Sequence, residues 1–468
     1  MAKVLLFSPP YIDTYGGLNI KKIGWGIPPT GIGYIGAYLK SQGIDVRIYD
    51  LMFEIDNLNQ IRDIIEKENP EIIGIGSTSP QFSAALAIAK IIKKVDNKIK
   101  VVFGGPHPTS LPEETISYPE IDIVAVGDGE ITMLEICSGI KLDSIKGIYY
   151  KNEKNTYFTG DREIEYNLDK FPFPLYEQLA MDRYSSFYFG KSMGIISGRG
   201  CPFQCTFCAS KIIDKGIYRF RSAENIVEEM NYLYEHYGFK KFSFWDDTFT
   251  LRKDRVVELC SKLASNKYKF KWTCNTHINT VDSELLKIMA DTGCKIIHIG
   301  IESGNNEILK NIKKGIKLDK VRQVIDWAHS YKIIVYGFLM IGLPGDTKDS
   351  INQTINFAVK NKVDLAQFSL LTPLPGTEVW TQAENKDGVM FATKELDKFL
   401  RYGNAVIELP EVSRTELNAL FSKAYRKFYL RPIHLFKLTF KFAGLFNPLH
   451  FFKLGISFIR FFKSKIKN

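Results

Sequence analysis

The sequence predicts an α/β protein in two successive parts: a doubly wound parallel sheet, then a partial (β/α)6 TIM-type barrel followed by a helical, basic and aromatic tail. Three observations predict it. Over residues 1–140, short β-rich runs alternate with helix-length segments, the pattern of a parallel sheet covered by helices on both faces. From Ser192 the alternation restarts with longer helices and six more strands, which suits a barrel that is three-quarters closed. Finally, 468 residues with 45% hydrophobic and 24% charged side chains can bury several cores, which excludes a small binding module and a disordered chain.

In the first part, strands are expected at Val4 to Phe7, Val46 to Tyr49, Ile72 to Ile75, Val101 to Phe103 and Ile123 to Val126. Helices are expected near 31–42, 57–68, 81–95 and 111–117. Four strands run into loop residues at their C-terminal ends: Ser8-Pro9-Pro10, Gly76-Ser77-Thr78, Gly104-Gly105-Pro106-His107 and Gly127-Asp128-Gly129-Glu130. Open α/β sheets bind ligands at that edge, where Gly and Ser let a flat or phosphate-bearing group approach the backbone. Residues 145–160 read as a hairpin, and Phe171-Pro172-Phe173-Pro174 as an extended linker, because each proline disfavours helix in the residue before it.

The second part is expected to hold strands at 193–197, 241–245, 270–275, 295–300, 333–341 and 365–371, with helices near 222–236, 252–264, 282–291, 317–330 and 348–360. Its chemistry should lie at the strands' C-terminal ends. The expected division is 1–142 for the first domain, 143–184 for hairpin and linker, 185–405 for the barrel and 406–468 for the C-terminal region.

Ser413-Arg414-Thr415-Glu416 has capping-box spacing, and Leu417, Leu420, Phe421, Ala424 and Phe428 follow at helical intervals. From Phe421 to Asn468 there are eleven Lys or Arg, no Asp or Glu, and thirteen Phe or Tyr, so the whole positive excess of the chain sits there. Beyond Pro432 a wide apolar arc with a thin cationic stripe suits a helix lying among lipid headgroups; a cover over the barrel and a partner interface are the competing readings. These aromatics share helix faces with Leu and Ile, so no nucleic-acid partner is expected. With no secretory start and no apolar run of spanning length, the expectation is a cytoplasmic protein attached peripherally to the inner face of the membrane through residues 432–468.

Seven cysteines in such a chain do not read as a disulfide framework, and three of them crowd into positions 201–208. They stand in Ser197-Gly198-Arg199-Gly200-Cys201-Pro202-Phe203-Gln204-Cys205-Thr206-Phe207-Cys208, just after the barrel's first strand. Structural zinc takes four protein ligands in paired spacings, and no second Cys or His pair stands near enough to complete a set. Three thiolates on one loop can instead hold three irons of a cubane cluster and leave the fourth open to a substrate. A zinc loop, or three reduced structural cysteines, is the competing reading. Cys137, Cys260 and Cys294 read as small buried hydrophobes.

The CxxxCxxC loop at that place resembles the radical SAM superfamily. The resemblance implies a 4Fe-4S cluster on Cys201, Cys205 and Cys208, whose open iron chelates S-adenosyl-L-methionine, and reductive cleavage of that molecule to a 5'-deoxyadenosyl radical. It also places Phe207, Asp246 of Asp246-Asp247-Thr248, Glu302 and Ser303 of Gly300-Ile301-Glu302-Ser303-Gly304, and Gly342 of Gly342-Leu343-Pro344-Gly345-Asp346 at the S-adenosylmethionine site. For Glu302 a solvated loop carboxylate is the alternative. Cys274 and His277, at the end of the third barrel strand, are the weak candidates for a proton or hydrogen-atom donor.

An α/β domain carrying Ser77-Thr78, Gly104-Gly105-Pro106-His107 and Gly127-Asp128-Gly129-Glu130 ahead of such a barrel resembles the cobalamin-binding, Rossmann-like domain of cobalamin-dependent radical SAM proteins. Ser77, Thr78, Gly104, Gly105, His107, Gly127, Gly129 and Glu130 are then the cobalamin-binding candidates. The chain has no Asp-x-His-x-x-Gly segment, so the corrin would bind without that lower ligand, and His107 between two prolines reads as shaping the pocket. The resemblance extends to hopanoid methylases and the anaerobic magnesium-protoporphyrin ester cyclase. It implies methylation of an unactivated carbon of a small, hydrophobic or membrane-associated substrate, with electrons from a flavodoxin or ferredoxin; the cofactors carry the hard chemistry and the protein orients them. Ring formation or another rearrangement without methyl transfer is the alternative, and a metal-stabilised scaffold protein the non-enzymatic one. A tRNA methylthiotransferase shares the barrel, but its first domain supplies three more cluster cysteines where this one has only Cys137.

Overall fold

A computed structural model describes residues 3–10, 26–55, 57–153, 155–186, 189–400 and 403–432. The first part contains β1 (Val4–Ser8), β2 (Val46–Asp50), β3 (Ile72–Gly76), β4 (Lys100–Gly104) and β5 (Ile123–Ala125), then the hairpin β6 (Ile148–Asn152) and β7 (Asn155–Phe158). They form one sheet in the order β2-β1-β3-β4-β5-β6-β7. The first five strands are parallel; β6 pairs antiparallel to β5, so the hairpin extends the sheet.

The strands read as continuous apolar runs because both faces are covered. Leu5, Phe7, Ile73 and Ile75 pack with Ile61, Ile65, Phe82 and Ile88 of the helices Gln60–Glu68 and Phe82–Val95. Val4, Leu6 and Ile72 face the other way, toward Ile32, Leu39, Met133 and Ile136 of the helices Thr30–Ser41 and Glu130–Cys137. This two-residue alternation is the strand period itself. Strand order reverses at β1, so the crevice beyond β1 and β3, where Ser8 and Ser77 stand, is the topological switch point at which such sheets take ligands. The linker packs back on this unit, with Phe171 edge-on to Tyr38 at 5.2 Å.

The second part contains β8 (Met193–Ile195), the short antiparallel pair β9 (Gly198–Arg199) and β10 (Arg219–Phe220), then β11 (Lys241–Phe244), β12 (Lys271–Thr276), β13 (Cys294–Glu302), β14 (Ile334–Ile341) and β15 (Leu365–Leu370). Six parallel strands run in the order β15-β14-β13-β12-β11-β8, an open barrel wall. Its helices start where the side chains can cap them: Ser222 accepts from Asn225 N, Asp282 from Leu285 N and Thr347 from Ser350 N.

The capping box at Ser413 forms as expected, and the helix Arg414–Tyr429 buries Leu417, Phe421, Ala424 and Phe428. The Tyr425 hydroxyl donates to Phe368 O at 2.9 Å and that of Tyr429 to Ala366 O at 2.8 Å, so this helix covers the edge strand β15. No helix among the described residues is long and apolar enough to cross a membrane. The basic, aromatic segment 432–468 lies, apart from Pro432, outside the described residues.

Candidate functional site at the junction of sheet and barrel

The cysteine loop leaves β9 and is pinned from both sides: Thr206 N donates to Ile312 O and Val379 N to Thr206 O, both at 3.1 Å. Cys201, Cys205 and Cys208 are free thiols. The Cys201 sulfur lies 3.6 Å from Thr248 Oγ1, and Cys208 N donates to Cys205 O at 3.2 Å. Burial raises the Cys205 thiol above its ordinary value and pushes Cys208 up to about 11. Without a cation these sulfurs stay protonated; a cationic cluster reverses that balance, because a coordinated thiol is deprotonated outright. Among the described residues no three His, Cys, Asp or Glu side chains close around a single-ion point. Three thiols spread along one loop suit a cluster, whose irons stand apart, better than one zinc ion.

Glu302 is aimed by a bulge. The register of β13 on β14 shifts between Gly300 and Glu302, and Glu302 sits at φ 60, a left-handed conformation that a non-glycine residue adopts only under constraint. Its Oε1 accepts from Lys314 Nζ at 2.8 Å, with both side chains under 10% exposed. Burial works against the Lys314 charge, but the Glu302 carboxylate beside it outweighs that and raises its pKa.

Two cavities flank the cysteine loop. The larger, about 710 Å³, lies between the C-terminal ends of β1, β3, β4 and β5 and the barrel. Ser77, Thr78, Gly104, Gly105, Gly127, Gly129 and Glu130 all line it, as do Arg199, Gly200, Trp245 and Asp247 from the second part. Gly105 is at φ 94, and a Cβ there would sit 3.1 Å from Ser77 O, so only glycine leaves this wall flat. Ser77 is 2% exposed, and its hydroxyl has no partner. A flat, mostly apolar chamber with an unused buried hydroxyl fits a corrin with polar side arms. The second cavity, about 520 Å³, is lined by Phe207 and Cys208 of the loop, Glu302, Phe338 and Met340 of β14, Gln367 and Ser369 of β15, and Thr78 and Pro80 of the first part. A molecule there would meet the Cys208 thiol and the Glu302 carboxylate at once.

Six expected site residues lie elsewhere. His107 is fully buried in the short helix Pro106–Ser110, behind the cavity wall: Nδ1 is 3.1 Å from Ser79 Oγ, the ring lies on Phe82, and burial lowers its pKa to about 4. Asp246 faces Ser197, accepting from its N at 2.7 Å and its Oγ at 2.6 Å, and it is Asp247 that reaches the large cavity. Ser303 is buried against Thr354 at 3.2 Å. Gly342, at φ 90, donates its N–H to Asp346 and packs under Leu417, away from both cavities. Cys274 is wholly buried, and its thiol is held well above its ordinary value by burial and by Cys294. His277 lines neither cavity; it stacks on Phe203 of the cysteine loop at 3.8 Å, and burial followed by Lys314 lowers its pKa to about 4.

Sequence reasoning missed an ionic junction between the two parts. Arg199 donates from Nη1 to Asp128 Oδ1 at 2.9 Å and from Nη2 to Glu130 Oε1 at 2.6 Å, and lies over the ring of Tyr34 at 5.4 Å. Arg219 bonds Asp128 as well, and Asp214 Oδ1 at 2.7 Å. Burial alone would raise the Asp128 carboxyl, but the two guanidiniums lower it. Nearby, Arg221 joins Tyr34 to Glu229, at 3.0 and 2.5 Å. The signal available beforehand was a conspicuous arginine two positions before Cys201, the first cysteine of the loop.

Comparison with known proteins agrees with this arrangement. The Radical SAM superfamily model matches residues 195–358 and the B12 binding domain model residues 18–137. An uncharacterized methyltransferase of Pyrococcus horikoshii is 34% identical over 94% of this chain and 95% of its own. The anaerobic magnesium-protoporphyrin IX monomethyl ester cyclase of Rubrivivax gelatinosus is 25% identical over 92% of this chain and 78% of its own. Among solved structures, the radical S-adenosylmethionine methyltransferase TsrM of Kitasatospora setae, with cobalamin and a 4Fe-4S cluster bound, superposes with a TM-score of 0.71 over 92% of this chain and 90% of that one, at 16% identity, a likeness of fold.

Proposed function

The chain belongs to the radical SAM superfamily, in the branch that carries a B12 binding domain, and on that premise we propose that it transfers a methyl group to an unactivated carbon of a small, largely apolar substrate. The observation that carries the reading is the placement of one cysteine loop between two cavities, one shaped for a corrin and one for a second reactant. Cys201, Cys205 and Cys208 hold the cluster in this reading. When bound, the cluster would cleave S-adenosylmethionine with one electron to a 5'-deoxyadenosyl radical that takes a hydrogen atom from the substrate carbon, and the corrin would pass to that carbon a methyl group renewed from a second S-adenosylmethionine.

The chain's own residues do the positioning. Glu302, hydrogen-bonded to Lys314, receives the cationic amino group of S-adenosylmethionine, and Phe207 offers a ring beside it. Phe338, Met340, Leu370, Leu374 and Phe399 make much of that wall apolar, with Thr78, Gln367, Ser369 and Thr372 as uncharged polar points, which favours an uncharged substrate. Gly104, Gly105, Gly127 and Gly129 let the corrin lie against backbone, and Ser77 offers its hydroxyl to a polar arm. A reduced flavodoxin or ferredoxin supplies the electron, and residues 432–468 attach the protein to an anionic membrane surface.

Anaerobic reconstitution tests the reading. Iron and sulfide near four each per chain, lost in Cys205→Ala, together with retained corrin and 5'-deoxyadenosine released on reduction, are expected. A product heavier by one methylene unit marks methyl transfer. Product without added carbon would move the reading to a cyclase, the activity named for the Rubrivivax relative. Loss of co-sedimentation with anionic liposomes on deleting residues 433–468 is expected for the tail; unchanged binding would end that part.

A further inference from the structure

Arg199 joins two structures, sharing the Asp128 carboxylate with Arg219 and holding Glu130 through its second nitrogen. On one side is the turn Gly127–Glu130, which walls the large cavity and is itself constrained: Gly127 at φ 80 accepts no strain-free side chain, its N donates to Thr109 Oγ1 at 3.1 Å, and a Cβ on Gly129 would meet Ile35 at 2.7 Å. On the other side is the cluster loop, with Cys201 two residues on. Between Arg199 and Cys201 stands Gly200, at φ 87, where a Cβ would fall on the carbonyl of Ile217. Pairing of Arg199 with Arg219 across β9 and β10 stiffens the same stretch. The guanidinium spends its donors on two carboxylates of the turn, with side-chain exposures of 16% for Arg199, 30% for Asp128 and 4% for Glu130. A planar fork held by two acids in a half-dry interface transmits a displacement instead of absorbing it.

We propose that Arg199 is a positioning residue that couples the two cofactor sites: through Asp128 and Glu130 it makes order in the corrin cavity and order in the cluster loop interdependent, while ligating neither cofactor. The inference rests on the reading of the two cavities given above. Its physical basis is shared ordering. Whichever cofactor binds first fixes the Asp128–Arg199–Glu130 geometry, so the second has less disorder left to remove, and the effect is equal in both directions. A lysine reaches one carboxylate but cannot fork across two, so it should transmit part of the effect.

The test is an anaerobic absorbance titration of the full-length chain with hydroxocobalamin, before and after reconstitution with iron and sulfide, in wild type, Arg199→Met, Arg199→Lys and Glu130→Gln. Wild type is expected to bind about tenfold more tightly once the cluster is present, within the roughly 5- to 150-fold span of such couplings. Arg199→Met and Glu130→Gln should bring that ratio to about one, whatever either does to corrin affinity itself, and Arg199→Lys should fall between. A merely structural arginine would weaken both states alike and leave the ratio unchanged. Glu130→Gln, which keeps the shape of the turn, carries the test if Arg199→Met does not fold. A wild-type ratio of one, or a variant that keeps the wild-type ratio, overturns the coupling and leaves the reading of the cavities standing. Failure of wild type to bind corrin in either state would instead bring down that reading, and the coupling with it.

Discussion

Gly194 on β8 should control the shape of the large cavity through Trp245. The indole lies flat over this glycine, and a Cβ built on Gly194 would come within 3.0 Å of three ring atoms, closer than real Cβ atoms approach. Trp245 borders the large cavity, so in Gly194→Ala the ring must retreat by about 1 Å to recover ordinary contact at 3.4 Å, and the free direction is into the cavity. Overpacking of this kind costs about 1–3 kcal/mol. If that cost falls on the corrin-bound form, hydroxocobalamin affinity drops by roughly 5- to 150-fold. Anaerobic titration gives the affinity, and iron and sulfide content should stay at the wild-type level because the cysteine loop does not touch Gly194. A double-mutant cycle makes the test specific: in a Trp245→Ala background the added methyl has nothing to strike, so Gly194→Ala should then cost almost nothing. Equal losses with and without the indole would refute the reasoning, as would a Gly194→Ala protein that binds corrin like wild type.

Two further outcomes follow from buried charge and buried imidazole. Glu302→Gln should destabilise the barrel by about 3–5 kcal/mol because it leaves the Lys314 ammonium buried without a counter-charge, whereas Glu302→Gln with Lys314→Met should recover most of that loss in urea unfolding. His107 is held neutral to about pH 4 by burial, against an ordinary value of 6.5. As pH falls below 6.5 the unfolded chain takes up a proton that the folded state refuses, so this ring removes about 2 kcal/mol of stability between pH 7 and pH 4.5. His107→Phe, which keeps the stack on Phe82, should show a pH dependence shallower by that amount, and an unchanged slope would contradict the assignment.

Most of the architecture was legible because its strands are buried on both faces and so stand out as short apolar runs between amphipathic helices, as at Ile72–Gly76 between Gln60–Glu68 and Phe82–Val95. The cysteine loop was legible because its chemistry is written in consecutive residues. Side-chain direction was the weak point. Asp246 and Asp247 are adjacent acids at a strand end, and which one turns to the cavity depends on Arg255, Ser197 and Ser210, none of them a sequence neighbour. Cys274 shares a face with Trp272, both buried outside the lumen, a distinction the two-residue period could have supplied. Gly342 serves a turn under Leu417 of a much later helix, and the pairing of Arg199 with Asp128 and Glu130 spans two units, so neither pattern exists locally.

Separate chambers also set different residence times. In the proposed reaction S-adenosylmethionine is spent in each cycle and its fragments must leave quickly, whereas the corrin serves many cycles and should stay. The smaller chamber is bounded mostly by the barrel and the cysteine loop, with only Thr78 and Pro80 of the sheet domain among its lining residues. The larger one has walls on both halves, and Arg199 and Arg221 hold those walls together through Tyr34, Asp128 and Glu130. Retention of a corrin between them then depends on how firmly those contacts hold the halves, which ties the number of turnovers served by each bound molecule to the ionic junction.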